Sequence, residues 1–283
     1  ARNTGLYSAQ GEWICFIDGD DFLDEKFEEN IITKLDNSVD IVCFGYSNYF
    51  NENNTKAKYD FSGKEFWINN EECEKLRKGL LDNEFLKKQY FYNKNIMYTA
   101  TWGKIIKKKV IKNNNLNFVS GVSWGEDVIF SYKIFSVTKK VKVIDLVGYH
   151  YRIRMDSMTR VYSENILNQY IRFMEEMRKE VLKESSLDFE KMFWTMAAKQ
   201  YLTIVRRNIF NSSNPNSLNS RKKYFLETKN IELIASAFVK ADYSRYGFVI
   251  KIGAIICKRN CFYLLNILYK LLDLKDKIKY YIR

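Results

Sequence analysis

The chain has 283 residues, of which 46% are hydrophobic and 28% are charged. This composition supports a sizeable core, fits one domain with additions or two small domains, and excludes disordered and collagen-like proteins. The net charge of +12 points to an anionic partner, but the sequence has no RNA-binding or zinc-finger signature, so nucleic acid is not expected.

The N-terminal part of the chain predicts a strand, a helix and a second strand. The apolar run Gly11–Ile17 predicts a buried strand and is followed at once by Asp18-Gly19-Asp20-Asp21. Residues 24–35 have helical spacing, and residues 39–46 form another apolar run. This order implies an α/β fold with a mostly parallel, Rossmann-like sheet. Ligands gather at the carboxyl ends of such strands, where the acidic cluster would lie.

The middle of the chain predicts mixed structure. We expect a loop at 48–60, helices at 71–89, 104–112 and 126–135, and strands at 118–123 and 141–151. After residue 160 the pattern changes to long amphipathic helices at 164–184, 188–210 and 218–240. These changes predict three regions: an α/β domain at 1–160, a helical region at 161–245 and a basic amphipathic tail at 246–283.

The tail at 246–283 has two apolar stretches separated by Lys258-Arg259-Asn260. A membrane span needs about 20 mostly apolar residues, and no run of that length occurs here. The pattern fits either a helix lying on a lipid surface, with its lysines toward anionic headgroups, or a helix packed on the protein's own core.

The cluster Asp18-Gly19-Asp20-Asp21 is the strongest chemical signal. Carboxylates this close repel one another, and a divalent cation among them favours their ionised forms. Mg²⁺ and Mn²⁺ prefer oxygen ligands and complete their shells with water and phosphate oxygens, so a metal-bridged diphosphate is the natural ligand. The alternative is a capped turn, in which Asp21 caps a helix starting near Phe22 and the other aspartates form Asx turns.

The wider context of this cluster carries a family resemblance. The chain reads Ala-Arg-Asn-Thr-Gly at residues 1–5 and Gly-Glu-Trp-Ile-Cys-Phe-Ile-Asp-Gly-Asp-Asp at residues 11–21. This ordered pattern resembles the family 2 glycosyltransferases of the GT-A fold, with Trp13, Ile17 and Gly19 as mild departures. The segments at 102–105, 125–128 and 149–152, the last followed by Ser157, resemble later motifs of the family. The resemblance covers roughly residues 1–160.

The resemblance implies roles for individual residues. Asp127 would be the general base that takes a proton from the acceptor hydroxyl. The other implied groups are donor-binding residues (Arg2, Asn3, Asp18, Arg152, Ser157), acceptor-binding residues (Trp102, Trp124, Glu126) and Mn²⁺ or Mg²⁺ ligands (Asp18, Asp20, Asp21, with His150 as a further candidate).

Several of these residues also have purely structural interpretations. Ser123 and Glu126 have the spacing of a helix capping box, and acidic residues favour the first turn of a helix. Tryptophan is ordinary core material, so Trp102 and Trp124 form either a sugar platform or part of the core. A lone histidine such as His150 is more often packed than metal-bound.

The sequence thus predicts an inverting, metal-dependent glycosyltransferase that moves a sugar from a nucleotide-diphosphate sugar to a saccharide or lipid-linked saccharide acceptor. A role in bacterial surface polysaccharide synthesis is a family-level expectation. Five scattered cysteines without a Cys-x-x-Cys pair fit a cytoplasmic protein, at the inner face of the membrane if the tail binds lipid. We expect the chain to be a fragment without the family's first strands, and by itself inactive. The rival interpretations are a non-catalytic membrane-surface or interaction module and a nucleotidyltransferase.

Overall fold

The computed structural model describes residues 1–51, 54–56, 65–94, 96–153 and 162–281. The chain forms two compact units, Ala1–Met155 and Asp156–Arg283. The first is a mixed α/β unit and the second is entirely helical in its described part. The predicted α/β class with a C-terminal helical region is therefore confirmed.

One sheet organises the first unit, in the order β1-β6-β3-β7-β2, with β4 beside β3 and β5 beside β7. Its strands are β1 (Trp13–Cys15), β2 (Phe22–Leu23), β3 (Ile41–Asn51), β4 (Asn54–Lys56), β5 (Phe66–Ile68), β6 (Lys104–Lys107) and β7 (Val141–Arg152).

The directions of these strands correct the expectation of a mostly parallel sheet. Among the described pairings β3–β7 is the parallel one, and the other five are antiparallel. Two of the antiparallel pairings belong to β6, which lies between β1 and β3, and the other three add β2, β4 and β5 beside β3 or β7. Because β6 reverses the direction twice, β1, β3 and β7 still run the same way, and their carboxyl ends share one edge of the sheet.

The described helices of the first unit are mostly short. They are α1 (Arg2–Ser8), α2 (Phe27–Ile32), α3 (Asn70–Leu81), α4 (Asn83–Leu86), α5 (Lys108–Asn113) and α6 (Glu126–Val137). Helix α3 begins with a complete capping box between Asn69 and Glu72, which satisfies two backbone N–H groups that a helix start leaves without partners.

Three predictions for the first unit were wrong in their element type. The loop expected at 48–60 holds the end of β3 (Ile41–Asn51) and β4 (Asn54–Lys56) in its described part. The basic run at 104–112 is a strand followed by a short helix, because Lys104 and Lys107 are buried and belong to β6. Residues 118–123 contain no strand. An apolar core of this unit includes Phe44 of β3 and Tyr149 of β7 together with Trp102.

The second unit contains α7 (Ile166–Leu182), α8 (Leu187–Ile204), a π-helical turn (Val205–Ile209), α9 (Leu218–Lys229), α10 (Glu232–Lys240), α11 (Phe248–Lys258) and α12 (Phe262–Tyr281). The single helix predicted at 218–240 is broken at Asn230 and Ile231. Buried tyrosines find hydrogen-bond partners: the Tyr170 hydroxyl donates to the Ala197 carbonyl, and the Tyr201 hydroxyl pairs with Thr228.

Candidate active site

A three-carboxylate cluster around Arg2 forms the centre of the candidate site. The Arg2 guanidinium donates to Asp18 Oδ1 at 2.9 Å, to Glu126 Oε1 at 2.8 Å and to Asp127 Oδ1 at 2.7 Å. The four side chains are between 23% and 31% exposed, so they are sheltered from bulk water but open to a ligand. The structure therefore brings together residues that are up to 125 positions apart in the sequence.

Arg2 is held in place by the chain around it. The neighbouring Asn3 exchanges two hydrogen bonds of 2.9 Å with the backbone of Phe118, which fixes α1 against that segment. The Arg2 guanidinium lies 5.3 Å from the centre of the Phe118 ring, and Phe118 stacks on Phe130 of α6 at 4.1 Å. This cation–π contact and the stack below it orient the guanidinium toward the carboxylates. These contacts make Asn3 a residue that positions α1.

The start of α6 delivers Glu126 and Asp127. Its N-cap is Gly125, whose φ of 83° is in the left-handed region that favours glycine. The capping box predicted between Ser123 and Glu126 does not form, because α6 begins at Glu126 with Gly125 as its N-cap, and the Glu126 carboxylate accepts from Arg2. Both carboxylates lie in the first helical turn, where the helix dipole favours negative charge.

Asp127 is the carboxylate whose acidity is changed most clearly. Burial raises its pKa from the ordinary value of 3.8 to about 6, and the nearby charges of Glu126 and Asp18 add to the rise, while Arg2 and Lys104 oppose it. The Thr101 hydroxyl also donates to Asp127 Oδ1 at 3.4 Å. A carboxylate with a pKa near 6 is ionised at neutral pH and is a better proton acceptor than an ordinary aspartate, as a general base requires.

The acidic loop, residues 18–21, is closed by a backbone hydrogen bond of 3.0 Å from Asp21 N to the Asp18 carbonyl. Both carboxylate oxygens of Asp21 already accept hydrogen bonds, from the Tyr149 hydroxyl at 2.6 Å and from Arg152 N at 2.8 Å. Tyr149 also accepts from Asp18 N, and Arg152 Nε donates to the Asp20 carbonyl. Asp21, Tyr149 and Arg152 thus fix the shape of the loop.

The alternative interpretation of this loop as a helix cap is wrong. Residues 22–23 are strand β2, and the next helix begins only at Phe27 with Lys26 as its N-cap. Burial raises the pKa of Asp21, against the lowering effect of the hydrogen bonds from Tyr149 and Arg152 N.

The remaining loop carboxylates are Asp18, which is half-buried, and Asp20, which is exposed. Within the described part of the chain no three His, Cys, Asp or Glu side chains gather to form a metal site of their own. One or two carboxylates are nevertheless the protein ligands that Mg²⁺ typically uses when substrate phosphates and water complete its shell. The donor set therefore fits a cation that arrives with a diphosphate.

The two predicted tryptophans lie in different environments. Trp102 is only 6% exposed and stacks on Tyr149 at 4.6 Å and on Tyr151 at 5.6 Å. Its burial corrects the expectation of an exposed sugar platform and makes it part of the core beside the acidic loop. Trp124 is half-buried directly before Gly125, next to the start of α6.

His150 lies beside the site without entering the Arg2 cluster. Its Nδ1 is 2.7 Å from the Ser47 hydroxyl, its Nε2 is 3.5 Å from Asp24 Oδ2, and its ring stacks on Phe22. With both ring nitrogens engaged, we assign it a packing role. Ser157 falls outside the described residues.

Sequence reasoning missed the role of Lys104. Its side chain is 1% exposed, and its ammonium group donates to the carbonyls of Met97, Tyr98 and Ala100. Burial lowers its pKa to about 8. These bonds hold the segment that leads to Thr101, and Ser131 of α6 donates to two carbonyls of the same segment. The family resemblance of residues 102–105 was the available signal, but the residue pattern at 104–112 predicted a helix.

Comparisons with known proteins find similarity to glycosyltransferases. Residues 1–113 match the family described as glycosyl transferase family 2. The chain is 33% identical over 168 residues to a cholesterol galactosyltransferase of Borreliella burgdorferi, an alignment that covers 56% of this chain and 42% of that protein. It is 24% identical over 228 residues to the poly(ribitol-phosphate) beta-N-acetylglucosaminyltransferase TarP of Staphylococcus aureus, covering 79% and 62%.

Solved structures resemble the chain in fold. The S. aureus TarS 1-349 structure in complex with UDP-GlcNAc aligns with a TM-score of 0.59 at 14% identity, covering 97% of this chain and 71% of that one. The chain spans less than half the length of several curated relatives that it matches.

Proposed function

Residues 1–113 match the family described as glycosyl transferase family 2, and from this match we propose that the protein is an inverting glycosyltransferase that uses a nucleotide-diphosphate sugar. The observation that carries the proposal is the Arg2 cluster, which joins the acidic loop to the start of α6 through contacts of 2.7–2.9 Å. Direct displacement needs a base next to a diphosphate site, and the cluster supports the proposal because it links the two candidate groups.

In the proposed reaction, Asp127 takes the proton of the acceptor hydroxyl as that oxygen attacks the anomeric carbon of the donor. The bond from this carbon to the diphosphate oxygen breaks on the opposite face, so the configuration inverts. With a pKa of about 6, Asp127 is ionised at neutral pH and ready to accept the proton.

The donor's diphosphate is proposed to lie over the acidic loop. Asp20 and Asp18 would hold Mn²⁺ or Mg²⁺, which supplies electrostatic stabilisation of the leaving diphosphate. Arg2 and Arg152 are cations beside this loop, and a guanidinium is well suited to pair with phosphate oxygens. Both oxygens of Asp21 already accept hydrogen bonds that fix the shape of the loop, so metal coordination is proposed for Asp18 and Asp20.

For the acceptor, we propose a saccharide or lipid-linked saccharide in bacterial surface polysaccharide synthesis. Trp124 and Glu126, at the start of α6, are the proposed acceptor-side residues. TarP is named for transfer to poly(ribitol-phosphate), and another relative is a minor teichoic acid biosynthesis protein of Bacillus subtilis that is 30% identical over 159 residues. We propose that the reaction takes place in the cytoplasm, at the inner face of the membrane.

The first test is Asp20→Asn in the full-length protein. We expect it to abolish metal-dependent hydrolysis of the donor, because the exposed carboxylate of the loop is lost while its backbone contact to Arg152 stays. Hydrolysis of a panel of nucleotide sugars with and without Mn²⁺ is the measurement, and it also identifies the donor.

Asp24→Asn is the matched control, since Asp24 lies close to the loop but faces His150. Normal metal-dependent turnover by the Asp20 variant would contradict the metal role. Loss of activity in both variants would point to a structural effect. If calorimetry detects no metal-dependent binding of any nucleotide sugar by the full-length protein, the non-catalytic interaction module becomes the better interpretation.

A further inference from the structure

Helix α12 carries two apolar stripes on opposite sides. The inner stripe includes Phe262, Leu265 and Tyr269, which are at most 6% exposed. The outer stripe is 51–60% exposed and consists of Leu264, Ile267, Leu271 and Leu274. At roughly 100° per residue the two stripes point about 170° apart, so the outer one adds nothing to the core beneath the helix.

Positive charges border the outer stripe. Lys270 and Lys275 are exposed and lie roughly 60–80° to either side of it. The single acidic residue between positions 246 and 275 is Asp273, and its carboxylate is paired with Arg206 at 2.7 Å. The same segment contains five Lys and Arg residues. A long lysine side chain beside an apolar stripe can bury its stem and keep its ammonium group in a polar layer.

Helix α11 repeats this arrangement. Phe248 is 76% exposed and Ile255 is 51% exposed, while Ala254 and Cys257 of the same helix are buried. Lys258 and Arg259 follow at its exposed C-terminal end. No helix in the described part of the chain is long and apolar enough to cross a bilayer. Two helices with apolar outer residues and basic flanks match segments that lie in a membrane interface.

We propose that the outer stripe of α12 is seated on an anionic lipid bilayer, with the helix lying in the plane of the surface. The four apolar side chains enter the boundary between headgroups and acyl chains, and the flanking lysines contact anionic headgroups. A second copy of the chain fits this face less well, because a symmetric contact would bring the lysines of one copy against those of the other. This inference extends the proposed location and does not depend on sugar transfer.

The test is sedimentation of the protein with vesicles of equimolar phosphatidylcholine and phosphatidylglycerol. We expect the unaltered chain to bind, and the double variant Ile267→Glu with Leu271→Glu to bind about a hundredfold more weakly, because it loses two apolar side chains and gains two negative charges. Lys270→Gln with Lys275→Gln should weaken binding about thirtyfold, and should do so only on the anionic vesicles.

The matched control is Leu182→Glu with Leu187→Glu. These leucines are 58% and 73% exposed in the same unit but lie on α7 and α8. Unchanged binding by this control supports the proposal, and an equal loss overturns it. Equal binding of the unaltered chain to vesicles of phosphatidylcholine alone overturns the role of the lysines. The proposal is also overturned if the unaltered chain does not bind vesicles but forms a dimer that the Ile267 and Leu271 changes dissociate. That result would assign the outer stripe to a contact with a second copy of the chain. Donor hydrolysis without vesicles tests the proposed enzyme separately.

Discussion

The two halves of the candidate site hold their carboxylates in different ways. Around Arg2, three carboxylates share one guanidinium, so each of them is paired with the same positive charge. At the other half, Asp21 is held by neutral donors, the Tyr149 hydroxyl and the backbone N–H of Arg152. Burial raises the pKa of both Asp127 and Asp21, but of these two only Asp127 forms an ion pair with Arg2.

This difference separates residues that are proposed to contact the substrates from residues that hold the acidic loop in shape. A guanidinium has five N–H donors, so Arg2 can pair with a ligand's phosphate oxygen while it still holds carboxylates of the cluster. A carboxylate whose two oxygens are both taken by the fold has little left to offer a ligand. We therefore expect changes on the Arg2 side to affect turnover, and changes on the Asp21 side to affect stability first.

The largest effect is expected for Asp127→Asn. Loss of the proposed base should lower kcat by roughly a hundred- to ten-thousandfold, with donor affinity nearly unchanged. Single-turnover assays and donor binding of the full-length protein are the measurements. Glu126→Gln, which changes the neighbouring partner of Arg2, is the control and should cost far less. Equal losses in both variants would contradict the assignment of the base.

The same variant has a predicted effect on stability. The folded pKa of Asp127 is raised from 3.8 to about 6, so the folded chain favours the protonated form. The contribution of Asp127 to the free energy of unfolding is therefore present at low pH and is lost as the pH rises through 6. Asp127→Asn should therefore raise Tm relative to the unaltered chain at pH 8, and this gain should disappear near pH 4. A gain that is independent of pH would contradict the raised pKa.

A smaller effect is expected for Arg2→Met. Without its guanidinium the three carboxylates repel one another, and we expect kcat/KM to fall about a hundredfold because the site loses its geometry. Since Arg2 lowers the pKa of Asp127, its removal should move the acidic limb of the pH–rate profile to higher pH. Arg2→Lys keeps the positive charge. It should therefore return the acidic limb to that of the unaltered chain more completely than it restores kcat/KM. If the acidic limb does not shift in Arg2→Met, the proposed effect of Arg2 on the pKa of Asp127 is contradicted.

The smallest effect on turnover is expected for Tyr149→Phe. The variant keeps the stack on Trp102 but removes the donor to Asp21 and the acceptor of Asp18 N. Leaving these groups without their partner should lower the free energy of unfolding by about 1–3 kcal/mol. Tyr46→Phe, which also removes a hydroxyl from a ring packed on Trp102, is the control in denaturant titrations. A larger loss of turnover than in Arg2→Met would reverse the comparison between the two halves.

Much of the site's position could be predicted from the sequence, because it depends on local pattern. The apolar run before residue 18 and the helical spacing after residue 126 place both carboxylate groups at element ends, and the structure agrees. The shared direction of β1 and β7, which brings the acidic loop to the same edge of the sheet as Tyr149 and Arg152, follows only from the strand pairings.

The rest depends on contacts that no local pattern contains. Lys104 and Lys107 look like surface residues, but the Lys104 ammonium group donates to backbone carbonyls, and the Lys107 ammonium group donates to the carbonyl of Asn37, 70 positions away. The capping box at Ser123 is absent because α6 takes Gly125 as its N-cap, and the Glu126 carboxylate accepts from the distant Arg2. The burial of Trp102 follows from its stacking on β7. In each case a distant partner outweighs the local preference.

The sheet order also bears on how the protein is made. Strand β3 pairs with β7 across about 100 positions, and the acidic loop receives its bonds from Tyr149 and Arg152, 128 and 131 positions after Asp21. During synthesis from the N-terminus the loop therefore emerges long before the residues that shape it. Such distant pairings slow folding, and a nascent chain that ends before β7 has the acidic residues without their arrangement.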